Sequence, residues 1–312
     1  MKVVIPGGSG QVGTVLARAF HGSGHDVVVL SRSPRVAAWR VVAWDGATIG
    51  EWSKEIDGAD VVINLAGRSV NCRYNGKNRA EILESRVRST RAVGAAIALS
   101  SRPPRLWLQA STATIYSHRY DAPNDERCGA IGGDEANAPD TWRFSIDVAR
   151  AWEAAFNEAG VPSTRKVAMR SAMTMSPDRG GIFDTLHSLV RFGLGGRVGD
   201  GRQFVSWVHH RDFVRAVNWL ITHDDISGVV NIASPLPLPH AEFMRILREA
   251  EGVSFGLSGT TWMMEIAAFI HRTESELILK SRRVVPTRLL ESGFTFDFPR
   301  WNEAARDLVH LR

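Results

Sequence analysis

Residues 1–13 read MKVVIPGGSGQVG, a short apolar segment that runs directly into a glycine-rich turn. Residues 3–5 are typical of a buried strand, and residues 11–21 (QVGTVLARAFH) place Val12, Val15 and Leu16 on one helical face. The spaced glycines therefore lie at a strand-to-helix junction, the context in which such a turn binds a dinucleotide. A plain strand-to-helix turn without a ligand is the alternative interpretation.

The glycine turn, residues 7–13, has a separate physical role for each of its spaced glycines. Gly7 allows a tight bend, Gly10 lets the backbone approach a pyrophosphate, and Gly13 lets the helix pack closely on the strand. The N–H groups at the start of the helix would face the phosphates. The residues expected to contact the cofactor here are Gly7, Ser9, Gly10, Gln11, Val12 and Gly13.

Strands and helices alternate along the first half of the chain. Short apolar strands are predicted at residues 27–30, 60–65, 106–110 and 165–169, and helices at 78–99 and 142–159. This alternation is typical of a parallel sheet that is covered by helices on both faces. We predict an α/β fold in which residues 1–175 form a Rossmann-like, doubly wound parallel sheet, to which some later segments return.

Residues 176–312 are predicted to form a smaller C-terminal substrate lobe over the carboxyl edge of the sheet. The lobe would contain a helix at 180–192, a strand at 229–232 and a helix that begins near His240. The arginines of a glycine-rich loop at 193–202 would meet the phosphates of an acidic ligand. The candidate substrate-binding residues are Arg197, Arg202, Gln203 and Trp207. An irregular connection within the lobe is the alternative role of this loop.

Composition and charge exclude several classes of protein. The 312 residues are 44% hydrophobic, and they contain no apolar run of the about 18 residues that a membrane helix needs. Cys72 and Cys128 have no metal-binding spacing. The arginines behind the net charge of +5 are scattered among acidic residues, which argues against nucleic acid. We expect a cytoplasmic protein with a small-molecule substrate, no metal and no membrane partner.

The end of the second strand distinguishes NAD from NADP. An acidic residue at this position binds the ribose 2′-hydroxyl of NAD, whereas an arginine accommodates the 2′-phosphate of NADP. Here Leu30 is followed by Ser31, Arg32 and Ser33, with no carboxylate. Ser31 and Arg32 therefore favour NADP(H) as the cofactor. A solvated turn arginine is the alternative role of Arg32.

With these features in place, the chain resembles the atypical extended short-chain dehydrogenase/reductases. More narrowly, it is similar to the sugar-nucleotide-epimerase-like family that ends in a short domain of unknown function. The broader resemblance also rests on Asn64-Leu65-Ala66-Gly67. The narrower one rests on motifs along nearly the whole chain: Trp44-Asp45, Ser85-Arg86, Ser89-Thr90, Trp152-Glu153, and residues 192–209, 228–235, 281–286 and 289–294. The family-specific C-terminal segment would begin at about residue 255.

The resemblance implies further cofactor contacts and an assembly. The implied NADP(H)-binding residues, beyond the glycine turn, Ser31 and Arg32, are Leu65, Ala66, Gly67, Glu81, Arg86, Ser111 and Thr174. Taken alone, Glu81 and Arg86 would be interpreted as ordinary charges on a helix surface. Extended reductases often dimerise through the helices that correspond to residues 78–99 and 142–159, so a homodimer is expected.

The usual catalytic pair of the superfamily is missing. Extended reductases move a proton with a tyrosine whose pKa is lowered by a lysine four residues later, but neither residue type occurs in residues 142–159. Thr112 stands at the position of the hydroxyl that orients the substrate, and Tyr116 is the best substitute proton donor. Packing beneath the cofactor is the alternative role of Tyr116. Asp147 and His209 are further candidate proton carriers, although a structural role at the junction with the lobe is favoured for His209.

Two classes of function follow from these motifs. One is an NADP(H)-dependent oxidoreductase or epimerase-like enzyme that acts on an unidentified small molecule, for example a nucleotide-sugar. The other is a non-catalytic NADP(H)-binding sensor or scaffold, which the missing tyrosine and lysine favour. An ordinary nucleotide-sugar 4-epimerase is the least favoured hypothesis because that activity relies on the missing pair.

Overall fold

The structure is a computed structural model that describes residues 1–135, 138–259 and 280–312. Strands and helices alternate through its first half as the sequence predicts. The elements of this half are β1 (Lys2–Pro6), α1 (Gln11–Gly22), β2 (Asp26–Ser31), β3 (Arg40–Ala43), β4 (Val61–Asn64), α2 (Gly76–Ala98), β5 (Leu106–Thr112), α3 (Asp140–Asn157) and β6 (Arg165–Ser171).

The second half contains shorter strands and several helices. Its elements are β7 (Met173–Met175), α4 (Ile182–Arg191), β8 (Phe204–Val205), β9 (Trp207–His209), α5 (His210–Thr222), β10 (Gly228–Ile232), β11 (Leu238–Pro239), α6 (His240–Glu251), α7 (Thr287–Glu291) and α8 (Trp301–His310). No helix among the described residues is long and apolar enough to cross a membrane.

The main sheet has seven parallel strands in the order β10-β6-β5-β4-β1-β2-β3. The strand order reverses between β1 and β4, and ligands of such sheets bind in the crevice outside the strand ends at this point. The fold prediction, a Rossmann-like doubly wound parallel sheet, is confirmed. The glycine turn follows β1, so it lies at this crevice.

Alternate residues of the strands pack into two separate cores, one on each face of the sheet. Val3 and Ile5 of β1 pack with side chains of α1 and α5, whereas Val4 packs with side chains of α2 and α3. Successive side chains of a strand point to opposite faces, and a buried parallel strand is therefore apolar at every position. This rule explains why the strands were visible as continuous apolar runs.

The lobe has its own core, built around aromatic side chains of α4, α6, α8 and β9. Phe243 of α6 stacks on Trp301 of α8 with ring centroids 4.1 Å apart, and Trp207 of β9 meets Trp301 edge-on at 4.9 Å. Two small sheets, β7 with β9 and β8 with β11, connect this core to the end of β6.

The strand expected in the lobe at 229–232 instead joins the main sheet as β10, beside β6. Val230 and Ile232 are fully buried there, and α5 covers the same face of the sheet. The edge strand β3 was not predicted, because its residues Arg40–Ala43 are exposed or half-buried and form no long apolar run. Residues 260–279, within the segment expected from about 255, lie outside the described residues.

The glycine turn yields a test of close packing. A Cβ added at Gly13 would lie 2.4 Å from the Cα of Gly8, so Gly13→Ala must push α1 away from the turn. We expect a loss of about 1–3 kcal/mol in the free energy of unfolding, measured by urea denaturation. Gly22→Ala is the control on the same helix, because no atom lies within 4 Å of its added Cβ. Equal stabilities of the two variants would contradict this packing.

Candidate functional site

The glycine turn lies directly against the end of β4. Gly7 has φ +75°, and a Cβ on it would lie 2.6 Å from the Cα of Ala66. The Gly7 N–H donates to the Leu30 carbonyl at 2.9 Å, which connects the turn to the end of β2. Three strand ends therefore meet at this glycine, and residues that follow β1, β2 and β4 share one edge.

The outer side of the turn is open. A Cβ on Gly10 would meet only the Gly7 carbonyl oxygen, at 3.6 Å, and Gly10 caps α1 without a side-chain hydrogen bond. The Nε2 atom of Gln11 is buried and has no hydrogen-bond partner among the described residues. This carboxamide lies against Gly181, at the start of α4. Helix N–H groups and an unsatisfied amide donor at one place fit a pyrophosphate.

The end of β2 presents hydroxyl groups and a cation to this edge. Ser31 is buried, and its hydroxyl donates to that of Ser9 at 3.0 Å. Arg32 is exposed, and its Cδ lies 3.6 Å from the Cβ position of Gly46. The carboxylate of Asp45 is engaged in its own turn by the backbone N–H groups of Ala47 and Thr48. This set of side chains fits a phosphate on the adenosine ribose.

Arg86 lies between the end of β4 and α3. Its guanidinium donates to the carbonyls of Arg68 and Ile82 at 3.0 Å and lies 5.0 Å from the Trp152 ring centroid. Burial lowers the pKa of Arg86 to about 10, so it is still charged at neutral pH. Its side chain packs on Gly67, which follows Leu65 and Ala66.

The carboxylate of Glu81 is bound by neighbouring cations of the protein. Its carboxylate forms ion pairs with Arg68 and with Lys77, and its side chain is 43% exposed. Arg68 also donates to Asn78 at 2.8 Å. Glu81 therefore fixes Arg68 in this structure, and its direct contact with the cofactor stays a prediction.

The end of β5 carries the candidate catalytic hydroxyl and a buried ion pair. Thr112 is half-buried, and its Oγ1 accepts from the Thr114 N–H at 3.1 Å. Ser111 instead turns inward and donates to Glu153 at 2.5 Å. Glu153 also binds Arg170 through two hydrogen bonds of 2.7 and 2.8 Å. Thr112 therefore faces the edge of the sheet, while Ser111 belongs to the buried network.

Tyr116 is placed as a core residue. It is 1% exposed, and its hydroxyl donates to Asn231 Oδ1 at 2.9 Å. The Arg170 guanidinium lies 5.0 Å from its ring centroid. Burial raises the pKa of Tyr116, and the nearby Arg170 opposes that effect. A phenol with a raised pKa and an intramolecular partner is poorly suited to proton transfer, so this geometry favours the packing alternative.

The candidate residues of the lobe are not brought together at one surface. Trp207 is fully buried in the core of the lobe, and Gln203 is buried with its amide donating to the Val198 carbonyl at 3.1 Å. Arg197 and Arg202 are exposed, and Arg202 lies 5.7 Å from the Tyr120 ring centroid. Ligand contacts from these four residues stay predictions.

Three other predicted residues are distributed around the site. Thr174 is buried in β7, where it pairs with Val208 of β9. Asp147 is exposed on α3. His209 is fully buried and stacks on Phe298 with ring centroids 3.9 Å apart. Burial lowers the pKa of His209 to about 2, so it stays neutral and is unsuited to proton exchange at physiological pH.

His209, His210 and Asp307 are close enough to be considered as metal ligands, since their ligand atoms lie within 4.8 Å of one another. However, Nδ1 of His209 accepts from the Arg211 N–H at 3.2 Å, which puts the ring proton on Nε2. That Nε2 then donates to Asp307 at 3.2 Å. Both nitrogens of His209 are thus engaged, which disfavours a cation here.

A partly enclosed cavity opens beside the end of β6, between α4, α6 and β8. Its volume is about 50 Å³, and most of its wall is apolar. Three basic side chains also line it, those of His240, Lys280 and Arg282. None of these three residues was predicted from the sequence as a site residue. The one available signal was that Lys280 directly precedes the family motif at 281–286.

A model of the NAD dependent epimerase/dehydratase family matches residues 3–136, and a model of a domain of unknown function, DUF1731, matches residues 260–308. A mouse protein named epimerase family protein SDR39U1 is 30% identical over 99% of this chain and 100% of its own length. The chain belongs to the epimerase family. The resemblance inferred from its motifs is thereby confirmed.

Two solved structures resemble this epimerase-family protein over 99% of its length. The human epimerase family protein SDR39U1, crystallised with NADPH, has a TM-score of 0.86 at 27% identity and is covered over 99% of its chain. A nucleoside-diphosphate sugar epimerase from Corynebacterium glutamicum has a TM-score of 0.76 at 28% identity, with 58% of its longer chain covered.

The position of Tyr116 in this epimerase-family protein leads to a stability prediction. Tyr116→Phe removes the donor to the buried side-chain oxygen Oδ1 of Asn231. We therefore expect a loss of about 1–3 kcal/mol in the free energy of unfolding. NADPH affinity, measured by fluorescence titration, should be unchanged. Tyr120→Phe is the control, because Tyr120 is 40% exposed. Unchanged stability with weakened NADPH binding would contradict the packing role.

His240 leads to a prediction about pH. It is 6% exposed, and burial lowers its pKa to about 4, below the ordinary value of 6.5. Between these two pH values the histidine is protonated in the unfolded chain and neutral in the folded chain. The free energy of unfolding therefore falls as the pH drops from 6.5 towards 4. Between pH 7 and pH 5, wild type should lose about 2 kcal/mol more than His240→Gln.

Urea denaturation at several pH values measures this difference. The control is His310→Gln, which replaces an exposed histidine at the end of α8 and should follow the wild-type profile. Parallel profiles for wild type and His240→Gln would contradict the buried, neutral state of His240.

Proposed function

We propose that this protein binds NADP(H) in the crevice formed by the glycine turn and the ends of β2, β4 and β5, and acts as an epimerase-like oxidoreductase on a small molecule. The observation that carries the proposal is the contact between Ser31 and Ser9 beside the exposed Arg32. These groups lie where the adenosine ribose of a dinucleotide meets the second strand of such a sheet.

The preference for the 2′-phosphate follows from charge. The Ser31 hydroxyl donates to Ser9, which leaves the Ser9 hydroxyl to donate to a phosphate oxygen, and Arg32 adds a planar cation with several donors. The nearby Asp45 carboxylate is engaged with its own turn, so no carboxylate of that turn competes for Arg32. The human relative that was crystallised with NADPH supports the same preference.

The pyrophosphate would be bound by the open side of the glycine turn. The N–H groups at the start of α1 and the Gln11 amide supply donors, and Gly10 leaves space for the phosphate oxygens. Arg86 adds a positive charge beside Gly67, near the end of β4.

Bound NADPH would supply a hydride. Thr112 is proposed to orient an oxygen of the substrate, since its side chain lies at the carboxyl end of the central strand β5, next to the switch point. In this proposal Tyr116 packs beneath the site and moves no proton, which is supported by its burial and its bond to Asn231.

A non-catalytic NADP(H)-binding sensor is the second candidate. One observation favours it. Tyr116 is the best substitute proton donor in the sequence, yet it is buried in the core and its pKa is raised. Under either candidate, the homodimer through α2 and α3 and the cytoplasmic location stay predictions.

Arg32→Ala tests the cofactor assignment. Loss of a charge-assisted contact of about 1.5–3 kcal/mol should weaken NADPH binding roughly tenfold to a hundredfold, with little effect on NADH. Fluorescence titration of both nucleotides measures the two affinities.

A matched control is Arg306→Ala, which removes an exposed arginine of α8 in the lobe and should leave both affinities unchanged. Equal losses for NADPH and NADH in Arg32→Ala would refute the assignment of the 2′-phosphate to Arg32.

A further inference from the structure

We propose that Arg179, in the loop that enters α4, binds the pyrophosphate of NADP(H) from the side of the lobe. This inference rests on the proposed function, because it adds a second wall to the cofactor site that the glycine turn forms. Residues 176–181 are called the entry loop below, since they lead from the end of β7 into α4. A bound cofactor would then contact both the main sheet and the lobe.

The entry loop lies directly on the glycine turn. A Cβ on Gly181 would overlap Nε2 of Gln11, so the last residue of the loop touches the first residue of α1. That nitrogen is buried and has no hydrogen-bond partner among the described residues. Further along α1, Arg18 forms an ion pair with Asp178 at 3.1 Å. Two contacts at separate points of α1 therefore place the entry loop beside the start of this helix.

Two helices begin at this contact. α1 is capped by Gly10 and α4 by Gly181, and neither glycine supplies a side-chain hydrogen bond to the first N–H groups of its helix. A helix N-terminus carries a partial positive charge, and its free N–H groups favour an anion. Because Gln11 touches the N-cap of α4, the positive ends of both helices meet at one place. The unpartnered amide of Gln11 lies between them and adds a donor.

The carboxylates nearest to Arg179 in the sequence are already engaged. The carboxylate of Asp178 pairs with α1. Asp184, in the first turn of α4, forms an ion pair with Arg312 and accepts from the Gly180 N–H at 2.7 Å. Arg179 itself is exposed, and within the described part of the chain it forms no ion pair and no side-chain hydrogen bond. The entry loop therefore presents a cation whose neighbouring anions are occupied.

The position of Arg179 is within reach of the glycine turn. Two residues of an extended chain span at most about 7 Å, and Arg179 stands two residues before Gly181. An arginine side chain is comparable in length to this span. Its planar guanidinium presents donors in pairs that match the oxygens of a phosphate. A pyrophosphate on the open side of the turn would supply the anion that Arg179 lacks.

Strand order assigns Arg179 and Arg32 to different phosphates. In the main sheet, β6 and β2 lie on opposite sides of β1. Arg32 follows β2, whereas the entry loop follows β7, which comes directly after β6. The two arginines therefore approach the glycine turn from opposite directions. Arg32 lies on the side of the adenosine ribose, and Arg179 lies on the side of the lobe, where the pyrophosphate continues towards the nicotinamide.

NADPH, NADH and two fragments are the probes. ADP-ribose has the pyrophosphate without the 2′-phosphate, whereas adenosine 2′-monophosphate has the 2′-phosphate without the pyrophosphate. Each is titrated into the intact protein, and its affinity is measured by calorimetry. We expect Arg179→Ala to weaken NADPH, NADH and ADP-ribose by a similar factor of about tenfold, and to leave adenosine 2′-monophosphate unchanged. Arg179→Lys, which keeps the charge, should restore part of the affinity.

Arg191→Ala is the matched control. Arg191 is the last residue of α4, it is exposed, and it lines the same open cleft as Arg179. Its replacement should leave all four affinities unchanged. Arg32→Ala should give the reciprocal pattern, with weaker NADPH and adenosine 2′-monophosphate and unchanged ADP-ribose. Urea unfolding of Arg179→Ala should match that of the wild type, because an exposed side chain without partners is removed.

The outcomes separate this inference from the proposed function. If NADPH fails to bind to the wild-type protein, the proposed function fails. If NADPH binds to the wild type and binds equally well to Arg179→Ala, the role of Arg179 is wrong and the cofactor site stands.

Three further results would overturn the assignment to the pyrophosphate. One is an equal loss of ADP-ribose and adenosine 2′-monophosphate in Arg179→Ala. Another is an equal effect of Arg191→Ala, which would indicate a general effect of charge. The third is a wild-type protein that binds NADPH and does not bind ADP-ribose. Weaker binding of only the ligands that contain a pyrophosphate, in Arg179→Ala and not in Arg191→Ala, supports the proposal.

Discussion

The contact of the glycine turn with the end of β4 is the constraint on which the rest of the site depends. A Cβ at Gly7 would lie 2.6 Å from the Ala66 Cα, and one at Gly13 would lie 2.4 Å from the Gly8 Cα. Glycine alone permits such approaches. Because β1, α1 and β4 meet there, the ends of β2 and β5 are also fixed beside the turn, with Arg32 and Thr112 along one edge.

Features that depend on local pattern could be predicted from the sequence. The strand, turn and helix of residues 1–22 have an apolar run, spaced glycines and helical periodicity, and each of these signals is independent of distant contacts. The edge strand β3 and the placement of β10 depend on pairing with strands far along the chain. Tyr116 follows the candidate hydroxyl in sequence, yet the position of its phenol is decided by Asn231, 115 residues away.

The ion pair of Glu153 and Arg170 is a structural contact within the core. Glu153 and Arg170 are both nearly buried and neutralise each other through two hydrogen bonds, so this pair connects α3 to β6. Because the carboxylate of Glu153 and the guanidinium of Arg170 neutralise each other, this pair does not need a charged ligand.

We propose that the glycine turn and the end of β2 bind NADP(H). Hydrogen–deuterium exchange of the wild-type protein, followed by mass spectrometry with NADPH or NADH at equal concentration, tests it most directly. We expect NADPH to slow exchange in peptides covering residues 7–13 and 30–33, and NADH to slow exchange in the second peptide far less. Unchanged exchange at 7–13 with NADPH, or equal protection of 30–33 by both nucleotides, would contradict it.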